Sequence, residues 1–461
     1  MTSESINTYR GFPGSPLLVA TMVVCNLWHL LGGPDLAFWG IALSAGLFLV
    51  AERRTIPRSI GTICIVLAVA GMIVWPFGNA SLQSLERGVY IGAMISSVMV
   101  SVSLLARAAL RSPALKTLTS YLLVQSYRRR YVLLAISGQI LPCMLGFAGV
   151  HMLFSVAADS KDSDEGDRLA LFTAISRSFS AATLWSPTFG NMVILLALYP
   201  QLAWSSVLPI GVGMAVATIL LSMVVDHRRL KARPRPRVSQ DDTVPDDVLR
   251  TAAGVMVAML VFFGVSLGLA EWLELPISAS ISMLAPAVAL GLHFVLGGRE
   301  RTVAGAWRGF RADAAMLRSF APEIMLFLVA GCGGTVIAES IPHEWIAAAA
   351  SAVSGHPTLA VLFLMLSIIT LSCIGIHPVL SVVLLSTIFT PEALQLPLLP
   401  HFAALLTGWG IASTLAPFSM LSMTASRYAG ISALRISSGC NWLFGSIAVV
   451  LATAVLTVLA Y

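Results

Sequence analysis

A chain of 461 residues that is 57% hydrophobic and 11% charged, with a mean hydropathy of +0.86, is not a soluble domain, in which about 25% of residues carry charge. Its net charge of +6 comes from arginines and a few lysines gathered in loops, the pattern that orients a membrane protein rather than one that binds nucleic acid. The sequence contains no H-E-x-x-H, nucleophile elbow or P-loop, so the enzymes and ATPases those motifs mark find no support.

About 20 apolar residues cross a bilayer as a helix. That rule predicts spans near 15–31, 36–51, 59–78 and 88–110. The stretch 16–31 has no basic region before it and no small-residue cleavage site, so it reads as a retained first helix. SPALKTLTSYLLVQSYRRR (112–130) is amphipathic. Apolar stretches at 131–158, 169–199 and 203–225 follow, and the polar segment 226–247 splits the chain. The second half has spans near 248–273, 276–297 and 319–340, and a short amphipathic piece at 343–355. Apolar stretches at 358–390, 399–428 and 433–460 complete it. The six cysteines lie in apolar segments without metal-type spacing and read as small buried hydrophobes. The expectation is an all-α polytopic membrane protein: an N-terminal helix (1–35), a first repeat (36–225), a cytoplasmic linker (226–247) and a second repeat (248–461).

The basic loops ERRTIPR (52–58), 107–130, DHRRLKARPRPR (226–237) and GGRERTVAGAWRGFR (297–311) belong in the cytoplasm. That places the N-terminus inside. Three apolar stretches between Arg130 and Asp226 cannot all cross if both ends are cytoplasmic. One must fold back to the side it came from. Residues 131–158 are favoured, turning near LPCMLGFAG (141–149), where Pro142, Gly146 and Gly149 supply the break. The loop KDSDEGDR (161–168) is then cytoplasmic, and 169–199 is the alternative hairpin. The same arithmetic leaves the C-terminus outside if 358–390 is re-entrant from the outside.

SFSAATLWSPTFGN (178–191) interrupts an apolar stretch with hydroxyls, an asparagine, a glycine and Pro187. Proline removes a backbone donor and clashes with the preceding turn. Broken backbone at membrane depth is tolerated only where protein buries it or where it lines a wet cavity. SAATLWSPTFGNM (180–192) has a counterpart in IASTLAPFSMLSM (411–423): small residues, Thr-Leu, a proline, then hydroxyls. Each follows another interrupted segment, SGQILPCMLGFAG (137–149) or TLSCIGIHPVLSV (370–382), and each is followed by one clean helix. Inverted repeats with paired broken helices point to a secondary transporter with a midplane site. Half-helix N-termini attract anions, and freed carbonyl and hydroxyl oxygens can hold Na⁺. The candidate substrate residues are Ser180, Thr183, Ser186, Pro187, Thr188 and Asn191, with Ser413, Thr414, Pro417 and Ser419; Ser422 and Thr424 have the same chemistry. The bland reading is that small and hydroxyl residues simply aid helix packing in membranes.

This segment order resembles the ion transporter superfamily, and most closely its divalent anion/sodium symporter branch. Residues 112–130 resemble that family's arm helix, 131–158 and 358–390 its hairpins, and 169–199 and 399–428 its broken helices. LWSPTFGN resembles its small-Thr-Pro-x-Asn break, with Thr183, Pro187 and Asn191 at comparable positions. The Ser-Asn-Thr hairpin tips of the sodium/dicarboxylate carriers are absent from 137–149 and 370–382, so the resemblance is architectural. It implies an elevator-type mechanism and a homodimer.

Ionisable residues at membrane depth are functional candidates by default. Arg177 either holds an anion in the cavity or snorkels to the surface. His377, beside a hairpin tip, and His151 either carry a coupling proton or are satisfied core histidines. Ser372, Thr183 and Thr414 are further coupling-ion candidates. Glu323 and Glu339 read as interfacial, and Arg427 and Arg435 as cytoplasmic anchors. The expected function is transport of a small organic or inorganic anion coupled to Na⁺ or H⁺, in a bacterial inner membrane, with no cofactor beyond a coupling ion. The alternatives are an ion exporter or Na⁺/H⁺ antiporter of the same superfamily, and an intramembrane lipid-modifying enzyme.

Overall fold

The computed structural model describes residues 12–77, 80–159, 165–227, 246–297 and 301–461. Residues 228–245 of the linker 226–247 and 161–164 of the acidic loop 161–168 therefore lie outside the described residues. In chain order the helices are α1 (Ser15–Leu30), α2 (Leu36–Ala51), α3 (Arg58–Val74), α4 (Leu82–Ala109), α5 (Pro113–Leu123), α6 (Tyr127–Leu145) and α7 (Phe147–Ala158). Then come α8 (Glu165–Ala182), α9 (Gly190–Leu198), α10 (Trp204–Val225), α11 (Asp246–Trp272), α12 (Ile277–Leu296), α13 (Val303–Ala314) and α14 (Ala321–Ser340). The last are α15 (His343–Ser351), α16 (Pro357–Cys373), α17 (Pro378–Ile388), the single turn α18 (Pro391–Leu394), α19 (Leu398–Leu415), α20 (Met420–Ala429) and α21 (Cys440–Val458). Among the described residues there is no strand, and seven helical stretches are long and apolar enough to cross a bilayer.

The chain forms two compact units, Met1–Ala108 with Ser278–Ile341, and Ala109–Ile277 with Pro342–Tyr461. They are not the two sequence halves, because each draws helices from both. In the first unit α1, α2 and α4 share an apolar core with Ala289, Leu317, Ala321 and Ile324. Helices α4 and α14 cross at glycines: a methyl on Gly92 would lie 2.7 Å from the Leu328 Cα, so only a bare backbone fits. Thr335 Oγ1 donates to the Ser84 carbonyl at 3.0 Å, and the Ser84 hydroxyl donates to Glu339. Helix α13 is capped by Thr302 Oγ1, which accepts from the Gly305 amide at 3.0 Å.

The second unit carries both interrupted pairs. Gly146, at φ 53° and ψ −140°, turns the chain between α6 and α7, which pack on each other. At 12 residues α7 reaches about 18 Å, short of a hydrocarbon core of about 30 Å. Residues 131–158 are thus the helix–turn–helix. The stretch 169–199 is instead two segments, α8 and α9, joined by an irregular connection. The second hairpin is α16 and α17, turned at Gly375 with φ 100°. The second broken helix is α19 and α20.

The packing is duplicated. Helix α6 lies on α8 as α16 lies on α19, and α8 lies on α10 as α19 lies on α21. The short arms are exchanged: α7 of the first hairpin packs on α20, and α17 of the second packs on α9. The pairs α8–α19 and α10–α21 join like to like. The contacts of the first hairpin and broken helix thus run parallel to those of the second.

Candidate functional site

The first break follows from its residues. Helix α8 ends at Ala182, where Thr183 Oγ1 turns back to the Ser180 carbonyl at 2.7 Å. The Ser186 amide still reaches the Ala182 carbonyl at 3.1 Å, but Pro187 has no amide with which to continue. The freed groups are met by side chains. Ser186 and Thr188 hydroxyls lie 2.9 Å apart, and Thr188 Oγ1 donates to the Cys143 carbonyl, at the end of α6, at 2.9 Å. Asn191 Nδ2 reaches from α9 across the gap to the Thr183 carbonyl at 3.2 Å. Trp204 Nε1 holds the Trp185 carbonyl at 2.7 Å, and Trp185 Nε1 donates to Gln139 Oε1 at 3.1 Å. Thr183, Ser186, Pro187, Thr188 and Asn191 are all buried.

The second break is built alike but is more open. Thr414 Oγ1 donates to the Ile411 carbonyl at 2.8 Å and Ser413 Oγ to the Trp409 carbonyl at 3.1 Å. Pro417 lies in the connection. Ser419 caps α20: its Oγ accepts from the Ser422 amide at 3.0 Å and donates to the Ser413 carbonyl at 2.7 Å. Thr424 is buried in α20, and Phe418, between Pro417 and Ser419, is 61% exposed. Its ring lies against the second hairpin's turn, 3.6 Å from where a methyl on Gly375 would sit.

The broken helices meet one turn before their breaks. A methyl on Gly410 would lie 3.2 Å from the Ser180 carbonyl and 3.6 Å from Thr183 Oγ1, so glycine lets α19 approach α8. Gly211 does the same for α10, whose backbone presses on Leu184 and Trp185. Beside this crossing an apolar cavity, enclosing about 570 Å³ with its open mouth, lies between α8, α10, α19 and α21. Ser180, Thr218 and Thr407 supply its hydroxyls, and Phe444, Leu221 and Leu451 part of its apolar wall. The hydroxyls of Ser178 and Ser180 and the Gln139 Nε2 are buried with no hydrogen-bond partner among the described residues. Unpaired polar groups in such surroundings are costly, and of the three only the Ser180 hydroxyl belongs to a residue of the cavity wall, which marks that point of α8 as a place where a polar ligand is favoured.

The ionisable candidates disperse. Arg177 neither faces an open cavity nor snorkels: it is 1% exposed, and its guanidinium is taken by its own chain. Nε donates to Asn441 Oδ1 at 2.8 Å, and one terminal nitrogen to Asp226 at 2.9 Å and Ser222 Oγ at 3.2 Å. His377 caps α17, its Nδ1 accepting from the Val379 amide at 3.3 Å. Ser372 Oγ bonds within its own helix, to the Ile368 carbonyl at 2.7 Å. His151, on the other hairpin, lies 3.4 Å from the Tyr428 hydroxyl. Arg435 forms an exposed pair with Glu165 at 3.0 Å. Arg427 lies near the end of α20, and Glu323 and Glu339 belong to α14 in the first unit. Sequence reasoning passed over Gln139 and Gly410, and it placed Asp226 in the linker. Gln139 was the readable signal, an uncharged polar residue within a hairpin arm. Among the described residues no three His, Cys, Asp or Glu side chains cluster as a metal site requires.

A crystal structure of the YdaH transporter of Alcanivorax borkumensis, described as having an unusual topology, is similar to this chain with a TM-score of 0.54. The two share 15% identity, over 87% of this chain and 97% of that one. At that identity the likeness is one of fold. No protein-family model and no curated protein matches the chain. With seven long apolar helical stretches among its described residues, the chain is an all-α polytopic membrane protein whose fold is similar to that of the YdaH transporter.

Proposed function

We propose that the protein is a secondary active transporter that moves a small anion across a bacterial inner membrane, coupled to Na⁺ or H⁺. The observation that carries this reading is the duplicated pairing of hairpin and broken helix, with each short arm exchanged onto the other repeat. Substrate binds near Thr183–Pro187 and Thr414–Pro417, where the broken helices meet. The buried, unpartnered Ser180 hydroxyl and the apolar cavity that Ser180 lines favour an organic anion, with a polar end against α8 and an apolar remainder in the cavity. The hairpins and broken helices move as an elevator within a homodimer, the N-terminus in the cytoplasm and the C-terminus outside.

Arg177 favours a second reading. The cation best placed to take an anion is already paired with Asp226, as suits an ion exporter or Na⁺/H⁺ antiporter. One experiment separates the two: thermal stabilisation of the purified protein across a panel of small anions, with and without Na⁺, at acid and alkaline pH. A ligand that binds the folded state raises the apparent melting temperature by mass action. Stabilisation by one anion class supports the first reading. A response to Na⁺ or pH with no anion effect supports the second.

A further inference from the structure

One buried network is not explained by packing. Arg177 on α8, Ser222 and Asp226 at the end of α10, Tyr131 on α6 and Asn441 on α21 converge within the second unit. Tyr131, Arg177, Ser222 and Asn441 are 1% exposed or less, and Asp226 is 6% exposed. One carboxylate oxygen of Asp226 accepts from Arg177 at 2.9 Å and from the Tyr131 hydroxyl at 2.7 Å. The remaining guanidinium face lies over the Phe444 ring at 4.8 Å, with the Cys440 carbonyl at 3.4 Å. Two charged or titratable neighbours among the described residues are engaged or placed elsewhere. Arg130, beside Tyr131, donates to the carbonyls of Leu122, Leu123 and Gln125, and His227 is exposed.

A buried ion pair is weak evidence of stability, because desolvating two charges offsets most of their attraction. The second repeat has no such pair: aligning Ser-Ala-Ala-Thr-Leu (180–184) with Ile-Ala-Ser-Thr-Leu (411–415) sets Gly408, packed closely on Met365, opposite Arg177. One side chain separates the pair from the cavity: the Phe444 ring covers the guanidinium and also lines the cavity wall.

We propose that Arg177 and Asp226 form the proton-coupling element: a proton taken up by Asp226 releases Arg177 to bind the carboxylate or other anionic group of the substrate. The exchange balances. The Asp226 carboxylate becomes a neutral acid, the Arg177–Asp226 ion pair breaks, and the substrate anion replaces it at the same guanidinium. One proton and one negative charge enter together, and the buried site keeps one cation and one anion throughout. This rests on the anion reading above and names its coupling ion and the residues that carry it.

The test uses the purified full-length protein and needs no substrate, so its failure is distinct from failure of the anion reading. Infrared difference spectra between about pH 8 and about pH 5 report carboxyl protonation. The wild type is expected to gain a carboxylic-acid C=O stretch that Asp226→Asn lacks. In Tyr131→Phe that band is expected at higher frequency, because the Asp226 carboxyl has lost the hydrogen bond that the Tyr131 hydroxyl donates to it. In parallel, phenylglyoxal labelling of Arg177, read by peptide mass spectrometry, is expected to rise roughly tenfold or more in Asp226→Asn, because the guanidinium has lost its charged partner. Should Asp226→Asn not fold, Tyr131→Phe decides by its infrared shift. Identical spectra in the wild type and the variants, or an Arg177 equally protected when residue 226 cannot be charged, overturn the proposal.

Discussion

Gly211 and Gly213 lie on the same helix and face different surroundings. A methyl on Gly211 would sit 2.9 Å from the Leu184 carbonyl carbon, 3.1 Å from the Trp185 Cα and closer still to the Leu184 oxygen. A methyl on Gly213 would meet nothing within 4 Å. Both alanines gain the same helix propensity, about 1 kcal/mol, so their difference isolates the packing of α10 on the first break. Overpacking a close-packed interior costs about 1–3 kcal/mol. The atoms struck here are backbone and cannot rotate away, so about 3 kcal/mol is the appropriate end of that range. At about 2 °C per kcal/mol, Gly211→Ala should melt about 6 °C below Gly213→Ala. Tryptophan-fluorescence thermal unfolding in detergent measures both, and Gly213→Ala should match or exceed the wild type. Two variants melting within a degree of each other would show that the break does not seat on α10 as described.

Four more outcomes are expected. Arg177→Ala strands Asp226 as a buried, unpaired carboxylate and should lose about 3–5 kcal/mol; adding Asp226→Asn should restore most of it, and an equal loss in both backgrounds refutes the pairing. Gly146→Ala should lose about 1–3 kcal/mol in the same unfolding assay, because its backbone conformation is open to glycine alone and no neighbour obstructs a methyl. Thr188→Val leaves the Cys143 carbonyl without its donor and should cost about 1–3 kcal/mol, with Thr188→Ser close to the wild type. Pro187→Ala should lower affinity or turnover in reconstituted vesicles once an anion from the panel is in hand; unchanged values for both would remove the first break from the mechanism.

The architecture was largely legible in the sequence because a bilayer imposes simple rules. Apolar length gave the spans. Loop charge and crossing parity demanded a hairpin in each half, and Pro187 and Pro417 with their hydroxyl neighbours marked both breaks. These signals are local: each rests on what a short stretch of backbone can do where water is absent. The choice between 131–158 and 169–199 was not local, since both stretches contain helix breakers. It was decided by Gly146 folding α7 back onto α6, while Pro187 only interrupts its helix and Asn191 bridges the gap.

What a side chain does at depth depended on tertiary structure throughout. Read from sequence, Arg177 was a cation near an anion site, and Asp226 began a basic loop 49 residues away. Folding brings α8 and the end of α10 together and turns two separate charges into one buried pair. His377 carries the residue type of a proton carrier, yet its ring caps a helix. The exchange of short arms between repeats lies further still from any sequence pattern. The sequence alone determined that this chain crosses a membrane, that its two halves share a segment order and where its helices break. Only the tertiary structure decided which polar groups are satisfied and which stay unpaired, because in a medium without water every polar group must find its partner within the protein, and those partners come from segments distant in the chain.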